Sequence, residues 1–466
     1  MEISPEVRVL VDELLHKIAA LEQENAALRR QLGKDSSNSS KPPSSDGLAK
    51  KPRIFGSLRG KSGKKTGGQP GHKGGTLRQV AKPDITVKHT AGCCAHCRAG
   101  LSAEMVTDVE TRQVFDLPEP RLEITEHQAQ IYRCTQCRGV TKAAFPAGVV
   151  GPAQYGPRIR AMAIYLNAQP LIPEDRVAEI MDDAMGAEGL CPASIVAWCA
   201  RKACELQPVE ADIAAKLAID PVRHLDETGF RIGGKTCWLH SMSTTGLTHY
   251  RVSEKRGAVP TDLEGGIVVH DHFKPYYALP DLEHALCNAH HLRELKALIE
   301  IEHEAWARIM SEFLLSTNAL VEQAVDGGAA SLSASTWDQI TQTYDAIVAS
   351  GWEFHQQQTP LVRQPGARGK PPRRPGHNLL IRLRDFKPDV LRFAANFMVP
   401  FTNNQAERDI RMMKLKMKIS GGFRTTQGAQ IFATLRTVGS TVKKRAINIL
   451  DALSMTPQAI IAALDA

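Results

Sequence analysis

From residue 220 onward the apolar residues stop recurring at helical spacing and begin to alternate, and this change of period limits the folds open to the chain. Residues 223–232, 236–243 and 248–253 each alternate apolar and polar positions, the mark of a strand with one face buried. Gly233-Gly234 and Thr244-Thr-Gly246 separate these runs as turns, which predicts an antiparallel meander. A fourth run, Gly266-Ile-Val-Val-His-Asp271, is continuously apolar and stops at an acid, and helical spacing returns from about 289 to 301. Strands followed by helices, in 466 residues with 42% hydrophobic content, predict an α/β fold within a protein of two or more domains.

Three acids stand out against that pattern. Asp226 lies in the first alternating run and Asp271 ends the fourth. Glu407 lies in Phe401-Thr-Asn-Asn-Gln-Ala-Glu-Arg-Asp-Ile-Arg411, where asparagines open a helix that soon turns basic. Two strand-borne aspartates and a helical glutamate suit a pair of Mg²⁺ or Mn²⁺ ions clamping the attacking and leaving oxygens at phosphorus. Each acid has a competing reading. Glu227 adjoins Asp226 but faces the other side by strand alternation. Asp262 and Asp281 compete with Asp271, yet neither ends a buried strand. Glu407 alone reads equally as a helix acid paired with Arg411. Glu407, Arg411, Lys414 and Lys418 fall on one helical face, so the carboxylate would bind metal while the cations track a DNA backbone.

The N-terminal third is organised differently. Val7, Leu14, Leu21 and Leu28 repeat every seven residues, as do Val11, Ile18, Asn25 and Leu32. That repeat predicts a parallel zipper dimer, with Lys17 facing Glu22 and Glu24 facing Arg29 of the partner helix; packing within one subunit is the competing reading. A Ser/Asn/Pro linker follows from 35 to 46, and then a stretch from Lys50 to Lys73 that holds eight cations and no acid. Its Lys61, Lys64, Lys65 and Lys73 stand among glycines, which suits a polyanion such as DNA or, on the plainer reading, a solvated tail. Cys94-Ala-His-Cys97 and Cys134-Thr-Gln-Cys137 form two Cys-x-x-Cys pairs, and the segment between them, including 122–126, reads as strand. Four thiolates suit a closed tetrahedral zinc, with Cys93 as an alternative to Cys94. The chain has no apolar N-terminal leader and no run long enough to cross a bilayer, so the expectation is a cytoplasmic protein with reduced thiols. Helical spacing at 158–166, 174–185 and 192–206 predicts a helical domain whose last helix is either a DNA reader or packing scaffold.

The strand order, with a later helical glutamate, resembles that of ribonuclease-H-like nucleotidyltransferases. Taken with Gly67-Gly-Gln-Pro-Gly-His-Lys73, His224-Leu-Asp-Glu-Thr228, His284-Ala-Leu-Cys-Asn-Ala-His290, Pro400-Phe-Thr-Asn-Asn-Gln-Ala-Glu-Arg-Asp-Ile-Arg411 and Lys418-Ile-Ser-Gly-Gly-Phe-Arg424, the chain resembles the insertion-sequence-66 family of transposases over nearly its whole length. The resemblance implies an Asp-Asp-Glu enzyme whose acids fall on Asp226, Asp271 and Glu407, with zinc on Cys94, Cys97, Cys134 and Cys137. His270-Asp-His272 departs from the Asp-Gly-Tyr form common in that family. Cys287-x-x-His290 resembles a motif found after the second acid in several transposase families, and either assists the active site or braces the fold.

The expected order is a coiled coil at 1–34, the linker and basic segment at 35–82, a zinc-binding domain at 83–150 and a helical domain at 151–215. A catalytic core at 216–302 and 386–466 is then split by a helical insertion with a basic loop at 303–385. The implied activity is cutting of transposon ends and joining of their 3′-hydroxyls to target DNA, by a homodimer that works with element-encoded helper proteins and contacts no membrane. A catalytically silent DNA-binding repressor and a structure-selective nuclease are the rival expectations.

Overall fold

A computed structural model of the chain describes residues 5–34, 38–39, 77–117, 122–361 and 372–466. The chain divides into two compact units. One comprises 1–51, 126–183 and 187–466, and the other 52–125 and 184–186. Lys61, Lys64, Lys65 and Lys73 lie outside the described residues, as does most of the linker.

In the larger unit the N-terminal helix α1 spans Pro5–Gly33. Every described zipper position whose burial is given and that carries a large aliphatic side chain is open to solvent: Val11, Leu14, Ile18, Leu21, Leu28 and Leu32. After the hairpin β1 (Ile131–Arg133) and β2 (Val140–Lys142) come α2 (Pro157–Ala168), α3 (Glu174–Met185), α4 (Pro192–Glu205) and α5 (Gln207–Ile219). The segment 122–126, expected to be a strand, pairs with no strand among the described residues; it carries alternating side chains but no buried face to hold a ladder.

The sheet has five strands: β3 (Val222–Ile232), β4 (Lys235–Ser243), β5 (Thr248–Ser253), β6 (Ile267–His270) and β7 (Glu283–Leu286). Their order is β5-β4-β3-β6-β7. β3, β4 and β5 form the antiparallel meander, and β6 and β7 add in parallel on the other side of β3. Gly233 and Gly234 join β3 to β4 with φ of +53° and +81°, the paired positive φ that a two-residue hairpin turn needs. β6 is buried at all four positions, as its unbroken apolar run predicts.

Helices α6 (Asn288–Ala297), α7 (Ala305–Asp326), α8 (Ala334–Gln356), α9 (Pro375–Asp385), α10 (Lys387–Val390) and α11 (Arg392–Ala395) follow the last strand. Leu292, Leu295, Met310, Leu314, Tyr344 and Leu383 from this group pack with Ile267, Val269, Ala285 and Leu286 of β6 and β7. On the meander side, Ile410, Met413, Phe432 and Ala433 of α12 (Asn404–Ser420) and α13 (Thr426–Lys444) cover Phe230, Leu239 and Tyr250. Each Leu, Ile, Val, Met or Phe side chain buried there contributes about 1.5–3 kcal/mol. Helices α14 (Ile449–Ser454) and α15 (Pro457–Asp465) close the chain.

Gly421-Gly422 explains one conspicuous pair of glycines. Gly421 ends α12 at φ +69°, and Gly422 follows at φ +129° with the Arg231 carbonyl where a Cβ would project. This close approach lets Phe423 N–H donate to Arg231 O, and Gly233 N–H to Phe423 O, both at 2.9 Å. Among the described residues no helix is long and apolar enough to cross a membrane.

Candidate functional site

β3 and β6 run parallel, and their pairing ends at His224↔Val269. Asp226, within β3, and Asp271, just past the end of β6, each lie two residues beyond that last pair. Asp226 Oδ1 accepts the Glu227 N–H at 2.8 Å and Asp271 Oδ1 the Phe273 N–H at 3.2 Å; among the described residues no cationic side chain pairs with either. Desolvation pushes the Asp226 carboxyl well above the usual carboxylate range, and the charges of Asp271, Glu227 and Glu407 push it in the same direction. The charges of Asp271 and Glu407 thus bear on Asp226.

Glu227 takes the other course. Arg256 donates to its Oε1 at 2.8 and 3.0 Å, and Tyr276 O–H to its Oε2 at 2.6 Å. The Arg256 guanidinium is itself stacked between Trp238 and Phe273. Glu227 is thus a matched buried charge beside an unmatched one.

Glu407 enters from α12, in whose first turn it lies. Arg293 of α6 donates to Glu407 Oε1 at 3.0 Å, and His290 Nε2 is 3.8 Å from the same oxygen. Cys287 and His290, expected near the site or in the scaffold, lie beside the third acid: ligand-type atoms of Cys287, His290 and Glu407 all fall within 4.8 Å of one another. Burial pushes the Cys287 thiol up to about 11, so it is protonated at neutral pH. The carboxylates of Asp226 and Asp271, half-buried and, among the described residues, without a cationic partner, are a donor set that fits a hard divalent cation.

Arg411, Lys414 and Lys418 are exposed along α12, and among the described residues none of them forms an ion pair. Asp409, in the same motif, is spent on structure: Lys444 pairs with it at 2.8 Å. Helix α4 buries Ile195, Cys199 and Ala203, and Arg201 is the one cation among its exposed residues.

The two cysteine pairs repeat one local geometry. Cys94 N–H donates to Ala99 O at 2.8 Å and Arg98 N–H to Cys94 O at 2.9 Å; Cys134 and Arg138 make the same two bonds, each at 2.9 Å, to Gly139 and Cys134. Arg98 and Arg138 turn the chain with φ of +63° and +59°. Backbone N–H groups of Cys97 and His96 lower the Cys94 thiol pKa, and those of Cys137 and Gln136 lower that of Cys134. Each turn thus favours thiolates, the form that ligates zinc.

Sequence reasoning missed Asn403, Arg293 and Arg256. Asn403 had a signal, since it stands in the Asn-Asn-Gln-Ala-Glu motif, but the motif reads as a helix start. Arg293 and Arg256 had none, because their partners lie 114 and 29 residues away.

Residues 152–431 match the family described as "Transposase IS66 family", a span that includes Asp226, Asp271 and Glu407. Residues 92–138 match the "zinc-finger binding domain of transposase IS66" and contain both cysteine pairs. Residues 1–78 match a "Family of unknown function (DUF6444)". No curated protein matches the chain.

Proposed function

The chain belongs to the IS66 family of transposases, and on that premise we propose that Asp226, Asp271 and Glu407 form the catalytic centre that cuts transposon ends and joins their 3′-hydroxyls to target DNA. The observation that carries this reading is the placement of Asp226 and Asp271 beyond the last pair of two parallel strands, with no cationic partner and with Glu407 within electrostatic reach. A sheet of three antiparallel strands extended by two parallel ones, closed by a glutamate-bearing helix, supports a ribonuclease-H-like core.

Two Mg²⁺ or Mn²⁺ ions bound there would supply charge to the phosphate and activate the attacking oxygen. The protein's own part is positioning. The strands fix the two aspartates, Arg293 orients Glu407 through Oε1, and Arg411, Lys414 and Lys418 offer a cationic track for a phosphate backbone. No serine or tyrosine nucleophile is required, since the hydroxyl of the cut end attacks directly. Cys94, Cys97, Cys134 and Cys137 would hold a structural zinc. The exposed heptad face of α1 would pair two subunits so that two ends meet in one complex.

Strand transfer with labelled element ends tests the reading, comparing wild type with Asp226→Asn, Asp271→Asn and Glu407→Gln. Each variant should lose cleavage and joining while still binding ends. Full activity in any one removes that residue from the centre. A wild-type chain that binds ends without Mg²⁺-dependent cutting would instead be a silent DNA-binding protein, and cutting without joining would make it a nuclease.

A further inference from the structure

Asn403 is buried at 1% exposure and touches every element that carries one of the three acids, directly or through one neighbour. Its side-chain Nδ2 donates to Leu225 O at 2.8 Å, the carbonyl immediately before Asp226. Because that bond fixes the amide orientation, Oδ1 faces His224 Nδ1 at 2.8 Å and accepts its proton. Asn403 N–H donates to Cys287 Sγ at 3.1 Å, and Cys287 N–H in turn donates to His270 O at 2.9 Å, the carbonyl immediately before Asp271. Finally, Asn403 O accepts the Glu407 N–H at 3.2 Å, the bond that starts the ladder of α12.

We propose that Asn403 is a positioning residue: its side chain and backbone, acting with Cys287, set the spacing of Asp226, Asp271 and Glu407 and so the affinity of the site for its divalent cations. This rests on the assignment of those acids made above. The Cys287, His290 and Glu407 group is itself a metal-like donor set, but two of its three members already hold hydrogen bonds. Arg293 already occupies Glu407 Oε1, and Cys287 Sγ already receives the Asn403 N–H. Those commitments make Cys287 a link in the bracket rather than a ligand. Hydrogen-bonded partners behind metal ligands commonly govern affinity by 10–100-fold.

The test titrates full-length protein with Mn²⁺, following the rise in melting temperature, and in parallel titrates Mg²⁺ in end cleavage. Asn403→Ala should raise the half-saturating concentration about tenfold or more in both titrations, with end binding unchanged. Should Asn403→Ala fail to fold, His224→Phe removes one bracket bond from the strand side and should raise the half-saturating concentration severalfold. Metal titrations superimposable on wild type, with activity falling only as the folded fraction falls, would overturn the proposal. If wild type never cleaves, the assigned reaction fails, while the Mn²⁺ melting titration still decides the bracket.

Discussion

The sheet that carries the acids and the segment that carries the cysteines solve opposite problems. Around Asp226 the protein is packed first, by aliphatic side chains above and below the sheet, and the site is a place where packing leaves carboxylates without a counter-charge. From 92 to 142 no described residue is buried, and Val114 and Ile124 stand 91% and 89% exposed. Order there comes from two short turns whose backbone bonds favour thiolates. In the first region the fold by itself places the proposed metal ligands; in the second the metal would make the fold.

The largest expected effect tests the second half of that contrast. Removing zinc with a strong chelator, or Cys97→Ser, should abolish amide-exchange protection across 92–142, since structural zinc supplies on the order of 10 kcal/mol to domains of this kind. Protection of the sheet strands should not change. A cysteine segment that stays protected without zinc would break the comparison.

Gly422→Ala makes the complementary attack on the sheet. Its φ of +129° and the Arg231 carbonyl at the Cβ position leave no room for a side chain. A loss of about 3 kcal/mol in denaturant unfolding is expected, with zinc content unchanged.

What could be read beforehand follows the same division. The strand placement of Asp226 and Asp271 was legible because a strand pattern is local, and so was the Gly233-Gly234 turn. Strand β7 was not, because Glu283-His-Ala-Leu286 is too short and too polar at its start to show a period. Nor was α5, which follows α4 after the single residue Leu206 and reads as its continuation. Asn403 was missed because its partners lie 116 to 179 residues away, and no local rule reaches them. The departure at His270-Asp-His272 now has a physical meaning. His272 adopts φ +74°, the left-handed region that favours glycine. The strain of roughly 1–2 kcal/mol is offset by ring contacts with Phe386 and Tyr277 and by its N–H bond to His270 Nδ1. The anticipated strand at 122–126 failed for the opposite reason: alternation was present, but none of its residues is buried among the described residues.

A smaller effect, of opposite sign, is expected at Asp226. Its carboxyl is pushed upward in the folded state, so the metal-free fold holds that proton more tightly than the unfolded chain does. The contribution is therefore fully present below the ordinary carboxylate pKa of about 4 and is lost as pH rises through the elevated folded value. Asp226→Asn should stabilise metal-free protein at pH 8 by about 0.5–2 kcal/mol, and the gain should vanish toward pH 4. Saturating Mg²⁺ should reverse the order at pH 8 by stabilising only the wild type. Lower stability of the metal-free asparagine variant at pH 8 would show that the carboxylate is matched after all.

The smallest effect on stability separates both regions from the surface of α12. Arg411, Lys414 and Lys418 are exposed and, among the described residues, unpaired, so each alanine substitution should move unfolding by no more than about 0.5 kcal/mol. Their consequence belongs to DNA. If the three cations follow a phosphate backbone, each removal should lower the slope of log affinity against log salt by about one, equally for end and unrelated sequences. A change confined to end DNA would instead make α12 a sequence reader. An unchanged slope would leave these cations as a solvated helix face, and the polyanion contacts would then have to come from elsewhere in the chain.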